Sequence, residues 1–139
     1  MDLRLPDLWT AGGVLLGFQV TAFGWRIAQE AQVADQGKIS WIPPADYLNL
    51  LSMVVTALSV FVLPALKLIP LDSVTRLLGF AALLFVGHPF ALAGHYELYN
   101  PTTKRSYNYF PLQERMIIAM VGLISVVYLL LAFARPETY

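Results

Sequence analysis

Four long stretches without a charged residue constrain this chain more than any other feature of its sequence. They are residues 8–25, 47–66, 77–96 and 116–134, and they contain 18, 20, 20 and 19 residues. Because a helix rises about 1.5 Å per residue, each stretch is long enough to cross a hydrocarbon core of about 30 Å. A charge near the bilayer centre costs about 2.5–3.5 kcal/mol on insertion scales. The sequence therefore predicts an all-α integral membrane protein, a bundle of four transmembrane helices that forms a single domain over residues 1–139.

The composition excludes several other classes of protein. Charged residues make up 13% of the 139 residues, whereas soluble domains carry about 25%. A water-soluble helix bundle would place charges at every third or fourth position of its outer face, and none of the four windows does so. The formal net charge of zero leaves no excess of cations to bind nucleic acid. With no cysteine in the chain, thiolate metal sites and thiol catalysis are excluded, and we expect no cofactor, no metal and no nucleic-acid partner.

Helix-breaking and helix-capping residues lie where helices spanning the four windows would begin and end. A proline stands just before three of them: Pro6, Pro43 with Pro44, and Pro111. Proline is tolerated there because the N–H groups of a first turn have no helical partner. Before the third window, Asp72 or Ser73 is the predicted N-cap. The first helix should extend about three turns beyond the bilayer, because residues 26–36 favour helix and the first breaker is Gly37.

Polar residues recur along one face of the second window. Asn49, Ser52, Thr56 and Ser59 follow one another at steps of three or four residues, so they share a helix face. The first window carries Gln19 near its middle, and an unsatisfied amide in hydrocarbon costs several kcal/mol. In one interpretation the hydroxyls bond their own helix and the amides bond a neighbouring helix. In the other, these side chains line a wetted path.

Both histidines of the chain lie in the third window. His88 is near the middle of the window, and His95 follows seven residues later on the same face. An ionisable group at that depth is a candidate functional residue, although a Ser, Thr or Gln of another helix could also satisfy a neutral histidine. Pro89 removes the helical hydrogen bond to the carbonyl of Phe85, which predicts a kink. The two histidines are about 10 Å apart along the axis, too far to share a metal ion.

Small residues predict helix interfaces in the first and third windows. Gly13 and Gly17 are four residues apart, and Gly87 and Gly94 are seven apart. Lipid gives little hydrophobic drive for helices to associate, so interfaces depend on close backbone approach. The glycines indicate either general packing within the bundle or a specific dimer motif.

An aromatic surface loop is predicted over residues 97–111. A turn signal at Asn100 and Pro101 is flanked by short runs in which tyrosine recurs at every second or third place. We expect a hairpin or a compact loop on the membrane surface, either an interfacial aromatic belt or a recognition surface. The candidate partner-facing residues are Tyr99, Lys104, Arg105, Tyr107 and Tyr109.

Two functions from different classes fit these features. The first is a non-catalytic subunit or assembly element of a membrane complex, which associates with its own copies or with a larger complex through the small-residue faces and the aromatic loop. The alternative is an oligomeric ion channel or small transporter with a polar path lined by spans one to three, since one chain is too thin to enclose a wide pore. An enzyme is not expected, because the windows contain no carboxylate and no nucleophile with an acid–base partner.

The location is inferred from the cations outside the windows. Four of them, Arg4, Lys67, Arg76 and Arg135, lie on the shorter segments. The positive-inside rule then places both termini in the cytoplasm, with the protein in the cell (inner) membrane.

Overall fold

The computed structural model describes residues 4–37, 41–100 and 109–134. These residues form four helices: α1 Leu5–Asp35, α2 Asp46–Ala65, α3 Leu71–His95 and α4 Leu112–Phe133. Within these ranges the chain forms no strand. The predicted all-α bundle is confirmed.

Three of the four helices, α2, α3 and α4, are long and apolar enough to cross a membrane. Helix α1 is not among them, because the four glycines, two threonines and Gln19 of window 8–25 dilute its apolar residues. Among the described residues that are fully buried, polar and charged side chains outnumber hydrophobic ones, whereas many large hydrophobic side chains are exposed. Soluble proteins bury polar and charged residues far less often. The membrane prediction is therefore supported for three helices, and a crossing by α1 stays a prediction.

Helix α3 is at the centre of the bundle. It packs against α1, α2 and α4, and its contacts with α2 and α4 are the most extensive between helices. A small apolar cluster of Leu8, Val60 and Val74 joins α1, α2 and α3. Beside it, a Cβ added at Gly12 would lie 2.7 Å from Val60 Cγ1, so α1 can approach α2 this closely only with glycine at position 12.

A π-helical turn over Ala57–Val62 interrupts the regular ladder of α2. Two residues later, Pro64 has no N–H to donate to the carbonyl of Val60. The indole N–H of Trp9 donates to that carbonyl instead, at 2.9 Å. A side chain of α1 thus satisfies a backbone acceptor that a proline in α2 leaves free.

The helix ends agree with the sequence at α1 and differ from it at α3. Helix α1 continues to Asp35, and Gly37 follows with φ 71°, as predicted. Helix α3 begins at Leu71, with Pro70 as its N-cap, rather than after Asp72 or Ser73. It then runs as one helix through Pro89.

Candidate functional site

Five ionisable side chains meet at the end of the bundle where α2 and α4 begin and α3 ends. We call this group the charged cluster: Arg26, Asp46, His88, His95 and Glu114. At most 11% of any of these side chains is exposed. Buried charges persist only when they are paired and hydrogen-bonded, so their contacts decide whether this end of the bundle is stable.

Asp46 connects two other helices through its two carboxylate oxygens. Arg26 of α1 donates from Nε to Asp46 Oδ2 at 3.2 Å. The other oxygen, Oδ1, lies 2.8 Å from His88 Nε2 of α3. The remaining N–H groups of Arg26 have three partners: Gln29 Oε1 at 2.7 Å, the Tyr96 hydroxyl at 3.0 Å and Glu30 Oε1 at 2.9 Å. One ion pair and one histidine contact thus join α1, α2 and α3.

Glu114 makes the corresponding connection for α4. Its Oε2 lies 2.8 Å from Nδ1 of His95. Its Oε1 accepts a hydrogen bond from the backbone N–H of Ala45 at 2.7 Å. The close approach of α3 to the start of α4 needs glycine at position 94, because a Cβ there would lie 2.9 Å from the backbone nitrogen of Glu114. Since Ala45 directly precedes Asp46, the two carboxylates hold the same end of α2.

The helix termini favour this arrangement of charges. Asp46 is in the first turn of α2, and Glu114 is in the first turn of α4. Unpaired N–H groups and the helix dipole stabilise an anion at these positions, typically by about 0.3–1 kcal/mol. His95 is in the last turn of α3, where a cation is favoured.

The structure gives His88 a partner that the sequence did not predict. The sequence offered a functional role or a Ser, Thr or Gln partner, and His88 instead contacts Asp46, the first residue of α2. Because α3 begins at Leu71 and ends at His95, His88 is about 26 Å along the helix, past its middle but closer to the middle than to the end. Arg26 and Asp46 were not predicted as site residues, because in the sequence they only mark the limits of the apolar windows 8–25 and 47–66.

A signal for these partners was present in the sequence. Consecutive antiparallel helices bring the start of α2 beside the later turns of α3, so a charge just before one window faces residues inside another. Asp46 and His88 have this relation, as do Glu114 and His95 on α4 and α3. A histidine in an apolar window should be compared with the charges that flank the neighbouring windows.

The polar residues of α1 and α2 are hydrogen-bonded inside the chain. Gln19 Nε2 donates to Ser52 Oγ at 2.5 Å and lies 3.3 Å from Thr56 Oγ1. Asn49 Nδ2 donates to the backbone oxygen of Gln19 at 3.0 Å. Ser52 Oγ donates to the carbonyl of Ala81 on α3 at 2.5 Å. These contacts join three helices through polar groups.

The hydroxyls further along α2 bond their own helix. Thr56 donates to the carbonyl of Ser52 at 2.8 Å, and Ser59 donates to that of Val55 at 2.6 Å. Ser59 is 2% exposed and Thr56 is fully buried. Within the described residues, the side-chain oxygens of Gln19 and Asn49 have no hydrogen-bond partner. The polar face of α2 therefore points into the bundle in a single chain.

The four glycines that the sequence singled out have different surroundings. A Cβ at Gly87 would lie 2.8 Å from Val121 of α4, and Gly94 packs on α4 as described above. At Gly13 the nearest atom, from Phe61, would be at 4.0 Å. Gly17 has nothing within 4 Å among the described residues. The glycines of α3 make close contacts within the chain, and Gly17 of α1 does not.

Two of the five predicted partner-facing residues, Tyr99 and Tyr109, are described. The backbone N–H of Tyr99 donates to Gln113 Oε1 at 3.1 Å, and its hydroxyl donates to the carbonyl of Phe90 at 2.9 Å. Tyr109 packs edge-on against Trp41, with ring centroids 5.8 Å apart. Three of the predicted partner-facing residues lie outside the described residues: Lys104, Arg105 and Tyr107.

Two clefts flank Arg26. The α1–α3 cleft has a volume of about 360 Å³, and His88 is in its wall. The α1–α2 cleft has a volume of about 290 Å³, and Glu30 and Asp46 are in its wall. Both volumes are at the lower end of the range of small-molecule sites, about 300–1,000 Å³. Three of the five cluster residues, Arg26, Asp46 and His88, thus line one or both clefts.

No family model, no curated protein and no solved structure matches this chain. Within residues 4–37, 41–100 and 109–134, no group of three or more His, Cys, Asp or Glu side chains is placed to hold a metal ion. The function is therefore inferred from the geometry of the bundle itself.

Proposed function

We propose that this protein is a small multi-pass membrane protein that acts as a non-catalytic subunit or assembly element of a membrane complex. The observation that carries the proposal is a face of α1 that the chain leaves uncovered. Gly13, Gly17, Thr21 and Gly24 lie at steps of three or four residues, and all four are exposed. Around Gly17 and Gly24 no described atom would lie within 4 Å of an added Cβ. A backbone this accessible permits close approach of a second helix within lipid.

The polar interior supports assembly over conduction. An oligomeric channel lined by the polar residues of spans one to three would need them on an outer face of each chain. Gln19, Asn49 and Ser52 are instead fully buried and donate hydrogen bonds within the chain. Turning them outward would break bonds that link three helices.

The proposal includes a membrane crossing by α1, which would bring the number of spanning helices to four. Helix α1 has the length to cross, and its least apolar residue inside the window, Gln19, is satisfied in part by α2. Residue 37 and residue 99 would then lie on one side of the membrane and residue 68 on the other. Because the chain has no cysteine, single-cysteine variants at these positions, labelled with an impermeant maleimide in intact cells, test the crossing. A further variant at residue 4, before α1, should label like residue 68. Labelling at residue 4 that matches residue 37 instead would contradict the crossing by α1.

Cysteine crosslinking tests assembly directly. With Gly17→Cys we expect oxidant to link copies into dimers, because the small-residue face lies between them. The matched control is Leu130→Cys on α4, which is 62% exposed and lies between Leu129 and Leu131; it should remain monomeric. Gly17→Leu should lower the mass of the detergent-extracted particle. A monomeric mass for the unmodified chain, without crosslinking at residue 17, would overturn association between copies.

Ion flux separates the proposed role from the channel alternative. In liposomes loaded with a pH-sensitive dye, we expect the protein to add no flux to that of protein-free vesicles at any pH between about 5 and 8, where histidine changes charge. Flux that disappears in His88→Gln but persists in His95→Gln would favour conduction and contradict the assembly role.

A further inference from the structure

The α1–α3 cleft has the features of a binding site for an amphiphile. Trp25 of α1 and Phe85 and Phe90 of α3 provide aromatic walls, and His88 and Arg26 are the polar residues in its lining. Trp25 and Phe90 are more than half exposed, so the cleft opens at the outer surface of the bundle. Since α3 is apolar enough to span a membrane, a ligand would enter from the lipid with its apolar part along the helices.

The partners of His88 define which hydrogen-bonding group the cleft offers. The Asp46 carboxylate accepts from Arg26, and an ionised carboxylate carries only lone pairs. In the 2.8 Å contact with Asp46, His88 Nε2 must therefore be the donor. In its neutral form the ring then has its lone pair on Nδ1. Among the described residues, His88 Nδ1 has no hydrogen-bond partner, although only 5% of the residue is exposed.

A backbone carbonyl of a lining residue also lacks its helical donor. Pro89 has no N–H to donate to the carbonyl of Phe85, and both residues line the cleft. Arg26 is the main donor nearby, but four of its five N–H groups already have partners. The lining is almost entirely apolar, and the lining residues carry more unpaired acceptors than free donors, so the cleft favours an apolar ligand that donates a hydrogen bond.

We propose that the α1–α3 cleft binds the hydroxyl-bearing ring of an alkyl-tailed phenol or hydroquinone lipid, with the hydroxyl donating to His88 Nδ1. An aromatic hydroxyl is a good donor, its ring packs on the aromatic walls, and a cleft of about 360 Å³ accommodates one ring. Asp46, which is outside the lining, acts as a positioning residue, because it fixes the orientation and tautomer of the histidine, and Arg26 in turn holds the Asp46 carboxylate. This site does not depend on the assembly role.

Nitrogen NMR tests the proposal on the intact protein in lipid nanodiscs. With ¹⁵N-labelled histidine the spectrum contains two rings, since the chain has two histidines. The probe is 4-hexylphenol, and its methyl ether, 4-hexylanisole, is the matched ligand without a donor. We expect the phenol to shift the Nδ1 signal of His88 in a saturable way and to leave His95 unchanged. The anisole should bind about three- to tenfold more weakly, the loss expected for one hydrogen bond.

Cleft-filling variants locate the binding. Ala22→Phe places a ring in the α1–α3 cleft and should weaken phenol binding at least tenfold, whereas Ala31→Phe, in the α1–α2 cleft, should not. The same NMR titration with hexylhydroquinone shows whether a second hydroxyl adds affinity, and so distinguishes a hydroquinone lipid from a simple phenol. No saturable shift, equal affinity for phenol and anisole, equal shifts of both histidines, or unchanged binding in Ala22→Phe would each overturn the proposal.

Discussion

The two ends of the bundle are held together by different physical interactions. At one end the charged cluster joins all four helices through two buried carboxylates, Asp46 and Glu114. At the other end Leu8, Val60 and Val74 form an apolar cluster, and Gly12 lets α1 approach α2. Loss of one partner of a buried charged pair lowers the unfolding free energy strongly, whereas loss of an apolar contact lowers it in proportion to the contact removed. The comparison predicts that single substitutions cost most at the charged end.

The largest effect is expected from Asp46→Asn. The amide keeps the shape of the side chain but removes the charge that compensates the buried Arg26. Loss of one partner of a buried pair costs about 3–5 kcal/mol, and unfolding in mixed micelles measures it. The control is Asp72→Asn, whose carboxylate is 71% exposed and 3.8 Å from Arg76. Equal losses for the two variants would remove the distinction between buried and exposed pairs.

The next largest effect is expected at the apolar end, from Gly12→Ala. The added Cβ would meet Val60 at 2.7 Å, and overpacking of this kind costs about 1–3 kcal/mol. Gly17→Ala is the matched control on the same helix, because nothing described lies within 4 Å. Alanine favours helix over glycine by about 1 kcal/mol, so this control should be neutral or stabilising. A Gly12→Ala variant as stable as Gly17→Ala would contradict the close packing of α1 on α2.

The smallest effect is expected from Trp9→Phe. The substitution keeps an aromatic ring, although a smaller one, and the carbonyl of Val60 loses its donor, which Pro64 cannot replace. The expected loss of unfolding free energy is about 1 kcal/mol. Trp25→Phe, at a side chain that is 62% exposed, serves as the control and should change the stability by less than about 0.5 kcal/mol. If Trp25→Phe lost as much unfolding free energy as Trp9→Phe, the indole hydrogen bond would have no measurable role in stability.

The sequence predicted the apolar scaffold better than the contacts at its charged end. Absence of charge over 18 to 20 residues is a property of each window alone, so the four helices could be located from sequence, including the extension of α1. The partners of His88 depend on how α2 and α3 lie against each other. Window 77–96 marks only the uncharged part of α3, and charge spacing alone does not say which turn of that helix lies beside Asp46.

Small residues show the same division between local pattern and tertiary contact. Spacing alone singled out Gly13, Gly17, Gly87 and Gly94. The structure adds Gly12, which was not selected although it has the closest approach to α2. Which glycine meets a neighbour depends on the rotation of α1 about its axis, and Gln19 influences that rotation through its bond to Ser52. A repeat of small residues predicts a helix interface but does not identify the face in contact.

A double-mutant cycle tests most directly whether the Arg26 and Asp46 charges stabilise one another. Unfolding free energies are measured for the unmodified chain, Arg26→Gln, Asp46→Asn and the double variant. Because each single variant leaves one buried charge without its partner, we expect the double variant to lose at least about 1.5 kcal/mol less than the sum of the two single losses. Losses that add to within about 0.5 kcal/mol would contradict the account.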